Sequence, residues 1–377
     1  MKKKVFTALG LMTGTSTDGI DLSLIKSDGL NYFTSILNKY YKFDPNLRDR
    51  IIEFRDKISS FEDLKKYSKN LKIIERELTL FHAEIINEVF KENKEDIDLI
   101  GFHGQTIFHK PNMKISLQLG DGKLLSQLTQ KLVVNDFRKN DLENGGQGAP
   151  LTPIFHKLIL LKLSNEYKIN FPLSIINVGG ITNITQISNN DNLKAYDLGP
   201  GNCMIDEWIR KNTNKNFDED GLIGKSGKVN DLIYNQAVDN FSDFSITKSL
   251  DVKDFEISFA KGLSLEDGCA TITKFSAYLI SEGLKKLDDE QSNSRKIHIL
   301  CGGGRKNNFL IENIKDFLSH SKVEFKNIDD YKLNGDYIES QAFAYLAIRS
   351  YLNLPISFPE TTRCKLPISG VVLNKNF

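Results

Sequence analysis

The 377-residue chain has almost no charge imbalance, with 50 Lys and Arg against 49 Asp and Glu. That removes the global basic footprint of a nucleic-acid binder, so no nucleic-acid partner is expected. It also has no apolar run long enough to cross a bilayer, and no membrane partner is expected. Cysteine is scarce: Cys203, Cys269, Cys301 and Cys364 stand alone, without a CxxC pair. Neither a zinc site nor a disulfide framework is therefore indicated, and a reducing cytoplasm fits. The start, Met1-Lys2-Lys3-Lys4 and then apolar Val5 to Met12, imitates a secretory leader. No small-x-small cleavage site follows, and cleavage would destroy the turn that the run enters, so the segment reads as the first core strand. Gly224-Lys225-Ser226 imitates the tail of a P-loop, but Glu219 stands where its first glycine belongs and no apolar strand precedes it.

What the chain does have is two hairpins of one design. In the first, an apolar run ending at Leu11-Met12 enters Thr13-Gly14-Thr15-Ser16-Thr17-Asp18-Gly19, and the alternating Ile20, Asp21, Leu22, Ser23, Leu24 leave it. Bare amides at Gly14 and Gly19, three hydroxyls and the Asp18 carboxylate are the parts needed to hold phosphate and position a metal ion. An ordinary hairpin loop is the alternative. In the second, Ile175 to Val178 enter Gly179-Gly180, and Ile181 to Thr185 leave, with Asn177 beside the turn. The length suffices for two lobes, 1–171 and 172–377, with the C-terminal helix a candidate to pack back at their junction. Paired phosphate hairpins facing across a cleft are the plan of the actin, heat-shock-protein and sugar-kinase superfamily. The fold class expected by that analogy is α/β, a two-lobed actin-like ATPase of ribonuclease H-like topology.

Between the hairpins, Leu71, Ile74, Leu78, Phe81, Ile85 and Val89 step at helical spacing, with His82 read as a packing or surface residue. The apolar strand Ile97 to Phe102 ends at His103-Gly104-Gln105-Thr106, where open α/β folds place ligand contacts. His109 is read as surface. Leu132 to Asn135 close on Asp136 and Arg138, a pair suited to sugar hydroxyls or an anion, or to an internal salt bridge. Gly145-Gly146-Gln147-Gly148 implies unusual backbone or close approach of a ligand. In the second half, Asp197 ends a strand before Gly199-Pro200-Gly201-Asn202, placed either as a general base for phosphoryl transfer or as a cap of that turn. A helix is expected from Glu266 to a stop at Gly283. Gly302-Gly303-Gly304 after the strand Lys296 to Cys301, with Asn307 beyond, offers bare backbone to a purine. A helix from Tyr337 carries Glu339 near its start.

Taken together and in order, these motifs resemble the anhydro-N-acetylmuramic acid kinase family nearly end to end. They are Gly10 to Asp21, His103 to Thr106, Asp136-Phe137-Arg138 with Asp141, Gly145 to Pro150, Asn177 to Gly180, Asp197 with Gly199 to Asn202, Phe217 to Gly221, Cys301 to Gly304 and Glu339 to Ala344. The resemblance implies a kinase of peptidoglycan recycling that uses ATP, Mg2+ and water. Its substrate would be 1,6-anhydro-N-acetylmuramic acid, and its products N-acetylmuramic acid 6-phosphate and ADP. It implies Asp197 as the base that activates water, with Glu339 helping to hold that water. Gly14, Thr15, Ser16, Thr17, Asp18, Gly19, Ile20, Asp21, Asn177, Gly179, Gly180, Gly302, Gly303, Gly304 and Asn307 would bind ATP, with Asp18 toward magnesium. His103, Gln105, Asp136, Arg138 and Gly148 would bind sugar. A homodimer in the cytoplasm is implied as well. Two departures stand out: Lys248-Ser249-Leu250-Asp251-Val252-Lys253-Asp254 where the family usually reads Lys-Ser-Thr-Gly-Arg-Glu, so that any role of that Arg has no matching residue, and Arg305 where a small residue is usual. Same-fold kinases of other sugars, ATP-switching binding proteins and a pseudoenzyme are the competing readings. The last two are disfavoured because no peptide-binding appendage is visible and Asp18, Asp197 and Glu339 are present.

Overall fold

A computed structural model describes residues 4–14, 17–188, 192–241, 249–287, 295–370 and 372–377. It divides the chain into two compact units, Met1–Ile159 with Tyr337–Phe377, and Leu160–Asp336. The division differs from the expected 1–171 and 172–377. The physical reason is the helix Ile338–Tyr351, which lies on the sheet of the first unit.

That sheet is mixed. Phe6–Met12, Gly19–Ser27 and Phe33–Lys42 form an antiparallel meander. Leu99–Phe102 then pairs parallel to Phe6–Met12, and Leu132–Asn135 parallel to Leu99–Phe102. A short strand, Val372–Asn374, closes the edge. Apolar alternation in the meander and β-branched runs in the buried parallel strands account for the two pairing modes. One face is covered by the helix Ser68–Glu92, whose Leu71, Ile74, Leu78, Ile85 and Val89 are buried as their spacing predicts. His82 packs inside it, with Nδ1 2.7 Å from the Leu78 carbonyl and its ring against Phe102.

The other face receives Ile338–Tyr351, and two glycines decide how closely. Gly10 and Gly101 sit side by side in register. A Cβ at Gly10 would collide with the Ser340 carbonyl, and one at Gly101 with the Phe343 carbonyl. Ser23 and Ser340 hydroxyls meet at 2.7 Å in the same contact. Gly10, grouped above with the phosphate hairpin, is thus a packing residue. Gly10→Val is expected to destabilise the protein by about 3 kcal/mol, since the clash is with backbone that cannot rotate away. Urea denaturation of the variant checks this, with Gly303→Ala, whose Cβ meets nothing within 4 Å, as the near-neutral control.

The second unit repeats the same strand order. Leu173–Val178, Ile181–Ile187 and Leu193–Pro200 form an antiparallel meander, followed by Lys296–Cys301 and Val323–Asn327 as parallel strands beyond the first. Two α/β units, each a meander extended by parallel strands, are the ribonuclease H-like arrangement expected. The helix Leu265–Lys286 runs through Gly283 instead of stopping there. Gly283 is required because a Cβ would press on the Leu198 carbonyl. None of the described helices is long and apolar enough to cross a membrane.

Candidate functional site

The first hairpin turn is closed by the Thr17 amide donating to the Gly14 carbonyl at 3.1 Å, with Thr17 at φ +57°. Thr15 and Ser16 lie outside the described residues. Two arginines from the helix Pro45–Lys57 reach this turn. Arg48 donates to Asp18 Oδ1 at 3.3 Å and Arg55 to Thr17 Oγ1 at 3.2 Å. Neither arginine stood out in the sequence, although a seven-residue spacing puts both on one helix face. Gly19 lacks a side chain because Tyr41's carbonyl and Tyr40's ring occupy that space, and Ile20 is wholly buried core. Only the backbone of Ile20 could therefore face a ligand. Tyr40's hydroxyl is pushed up to about 12 by burial first and then by the Asp18 and Asp21 carboxylates. Both carboxylates therefore converge on this side of the hairpin.

A continuous network joins the hairpin to the sugar-side candidates. Thr13 Oγ1 donates to the Gly104 carbonyl at 2.8 Å, and His103 Nδ1 lies 2.8 Å from the same oxygen. Arg138 reaches His103 Nε2 at 3.1 Å and the Gly148 carbonyl at 2.8 Å. The Gly148 amide donates to Asp141 Oδ2 at 2.6 Å, and Thr362 to Asp141 Oδ1 at 2.6 Å. His103 is held down to about 3 by burial and then by the Arg138 charge, so it is neutral. The carbonyl fixes its proton on Nδ1, which leaves Nε2 to accept from Arg138. Phe343 braces the imidazole at a centroid distance of 4.4 Å. Gln105 is 1% exposed, and its Oε1 has no hydrogen-bond partner among the described residues. A buried amide oxygen left so is costly unless a ligand supplies the donor.

Asp136 holds a left-handed backbone at φ +53°, a strained state for a non-glycine residue, and burial raises its carboxyl pKa. His109 is not a surface residue. It donates to or accepts from Ser116 Oγ at 2.9 Å, lies against the Gly148 turn, and is depressed to about 3 by burial and then by Arg138. Only the folding of the distant Gly145–Gly148 loop brings it there, so no local signal marks it. His103, Gln105, Arg138 and Gly148 thus gather in the first unit with Asp141, His109 and Phe343 as neighbours.

In the second unit the Gly179-Gly180 turn is locked to the segment after Asp197. Gly201 and Cys203 amides donate to the Gly180 carbonyl at 2.8 and 3.2 Å, and the Asn202 amide to Gly179 at 2.8 Å. Asp197 sits at a bulge in its strand, is 9% exposed, and accepts from the Leu250 amide at 2.8 Å. The altered 248–251 run therefore touches Asp197 through its backbone, with Lys248 itself outside the described residues. Of the three glycines, Gly302 and Gly304 are close-packed on Asn177 and Val178, while Gly303 faces open space. Asn177 is buried under this turn, and Cys301 Sγ lies 3.7 Å from its Oδ1. Asn307 is buried and caps the helix Asn308–Phe317, its oxygen accepting from the Leu310 amide at 3.0 Å, so a structural task accounts for it. Glu339 stands half-buried in the first turn of Ile338–Tyr351. The Gly221–Ser226 decoy turns on Asp218, whose carboxylate accepts from the Ile223 and Gly224 amides at 2.8 and 2.9 Å.

Comparison with known proteins identifies the family. The family model described as anhydro-N-acetylmuramic acid kinase matches residues 6–373. Proteins named anhydro-N-acetylmuramic acid kinase are similar over nearly their whole length. That of Pelagibacter ubique is 49% identical, covering 100% of both chains. That of Zymomonas mobilis is 38% identical, over 96% of this chain and 98% of its own. That of Agrobacterium fabrum is 35% identical, over 98% and 99%. This chain belongs to the anhydro-N-acetylmuramic acid kinase family.

Proposed function

We propose that the chain performs the reaction its family is named for, with Asp197 as general base. ATP and water convert 1,6-anhydro-N-acetylmuramic acid to N-acetylmuramic acid 6-phosphate and ADP. Asp197 takes a proton from water as that water attacks the anomeric carbon. The bond from that carbon to the bridging oxygen breaks, and the freed O6 accepts the γ-phosphoryl group. Glu339 helps to hold the water. The observation that carries this reading is Asp197 itself, a buried carboxylate at a strand bulge, steadied by the Leu250 amide beside the locked Gly179-Gly180 turn. A steadied carboxylate needs little reorganisation when the proton moves.

His103, Gln105, Asp136, Arg138 and the Gly148 turn bind the sugar. The Gln105 amide offers a polar contact to hydroxyl and N-acetyl groups, Arg138 offers charge to a carboxylate, and neutral His103 orients Arg138. Gly14 to Asp21 and Gly179-Gly180 hold the phosphates, and the open face of Gly303 lies against the adenosine.

Among the described residues, no group of three or more His, Cys, Asp or Glu side chains could hold a metal ion by itself. Mg2+ takes one or two carboxylates and completes its shell with water and substrate phosphate. The neighbouring Asp18 and Asp21 fit that requirement. Magnesium, when bound, neutralises charge on the phosphate oxygens. A homodimer in the cytoplasm belongs to the same reading.

The test is ADP release with 1,6-anhydro-N-acetylmuramic acid in heavy-oxygen water, followed by mass analysis of the sugar. Heavy oxygen at the anomeric carbon with phosphate on O6 is expected. ADP release only with an unbridged sugar would leave the kinase and remove this substrate.

A further inference from the structure

Arg305, the residue directly after the three glycines, is 2% exposed at its side chain and carries four hydrogen bonds. Nε donates to Asp329 Oδ2 at 2.7 Å and Nη2 to Asp329 Oδ1 at 3.2 Å, a two-pronged fork. Nη1 donates to Asp336 Oδ1 at 2.6 Å and to the Gly302 carbonyl at 2.9 Å. The same segment is tied again through its backbone. The Gly302 amide donates to the Gly335 carbonyl at 3.1 Å, and the Gly335 amide to Asp329 Oδ1 at 2.9 Å. Gly335 is obligatory there, since a Cβ would press into the guanidinium. Gly302 itself has φ +79°, a conformation that must be held from outside when no side chain packs it.

We infer that Arg305 is a positioning residue for the nucleotide: it fixes the Gly302–Gly304 turn from behind, against Asp329 and Asp336, and so sets the open backbone face at Gly303. The inference rests on the reading that this turn meets the adenosine. The geometry separates it from a direct ligand role. Every bond Arg305 makes is to protein, and its side chain is sealed away while Gly303, two residues earlier, is exposed. A lysine could not serve equally, because a single ammonium cannot fork to Asp329 and reach Gly302 together.

The experiment compares Arg305→Met, Arg305→Lys and Gly303→Val by direct binding of a non-hydrolysable ATP analogue and by KM for each substrate. Methionine fills most of the same volume, and although removing one partner of a pair is costly when the other is left buried, the Asp329 and Asp336 side chains are 40% and 33% exposed and can be rehydrated. The two aspartates keep partners, Asp329 the Gly335 amide and Asp336 the Lys306 ammonium at 2.6 Å. Arg305→Met is expected to fold, to weaken nucleotide binding about tenfold and to leave the sugar KM unchanged, as loss of charged hydrogen bonds to the turn predicts. Arg305→Lys should fall between it and the wild type. Gly303→Val, which crowds the open face of the same turn, should weaken the nucleotide at least as much. If Gly303→Val weakens binding and Arg305→Met stays within twofold of wild type, Arg305 is a structural ion pair only and the inference fails. If Gly303→Val has no effect, the nucleotide does not meet this turn, and both the inference and the adenosine assignment fall. Equal rises in both KM values for Arg305→Met would show general disorder and also overturn it.

Discussion

Asp197→Asn protein is expected to bind ATP normally and to lose about three orders of magnitude in turnover, the middle of the range for removal of a general base. The substitution is chosen because it separates the two roles open to this residue. Asp197 accepts a hydrogen bond from the Leu250 amide and sits at the bulge of its strand, two residues before Gly199. An asparagine oxygen can accept the same bond, and asparagine suits such turns as well as aspartate does. If Asp197 only caps the turn, the variant keeps its fold and its rate. If Asp197 removes a proton from water, the amide cannot, and the rate collapses while nucleotide affinity stays. Steady-state ADP release and equilibrium binding of an ATP analogue, measured side by side, decide it. Turnover within tenfold of wild type would remove Asp197 from catalysis. The Leu250 contact adds a control: the bond comes from backbone, so Leu250→Thr, which changes only the side chain, is expected to leave that bond in place.

Much of the fold was legible because its signals are local. The meanders follow from period-two apolar runs around Gly14 and Gly179-Gly180, and the helix Ser68–Glu92 from a three-to-four-residue apolar step. Glycine was where reading failed, since one residue type answers three needs. Gly10, Gly101 and Gly283 are glycines because backbone from another element passes where a Cβ would sit. Gly104 and Gly148 are glycines because their φ values, +74° and +69°, disfavour a side chain. Gly303 meets neither demand and is the one of the three in its turn that is open to a ligand. From sequence alone these cases look alike, which is why Gly10 was grouped with the phosphate turn and Gly283 was expected to stop its helix. That the C-terminal helix packs back is among the expectations, but that it lies on the sheet of the first unit depends on Gly10 and Gly101 together, far apart in the chain and adjacent only once their strands pair. At the candidate site, the residues on strand ends could be named in advance. Arg48, Arg55 and His109 could not, because loops and helices folding from elsewhere bring them to it.

Lowering the pH from about 7 to about 5 is expected to remove of the order of 5 kcal/mol of stability from the first unit, most of the reserve of an ordinary domain. The cause is the depressed imidazoles of that unit, three of them buried and the half-buried His109 acting in the same sense. Burial depresses His82 to about 4 and His156 to about 3, and burial with the Arg138 charge depresses His103 to about 3. In the unfolded chain each returns to 6.5 and takes up a proton as the pH falls below that value, whereas the folded unit must wait until 3 to 4. The unfolded state binds more protons throughout that window, so stability falls as pH falls, by about 2 kcal/mol per histidine at pH 5. Burial raises the Glu75 and Asp136 carboxyls, which act in the opposite sense because protonation relieves their buried charge. They titrate from starting values of 4.5 and 3.8, so they blunt the fall near its lower end without reversing it. The check is the urea midpoint of the whole protein at pH 7, 6 and 5, with His82→Gln as the diagnostic variant. Among the described residues His82 touches Phe102 and the Leu78 carbonyl and no charged group in the network, so glutamine should remove about a quarter of the pH dependence while leaving His103 in place. A midpoint that stays level across that range would mean the imidazoles are hydrated in solution and that the tight packing around His103 and Arg138 does not hold there.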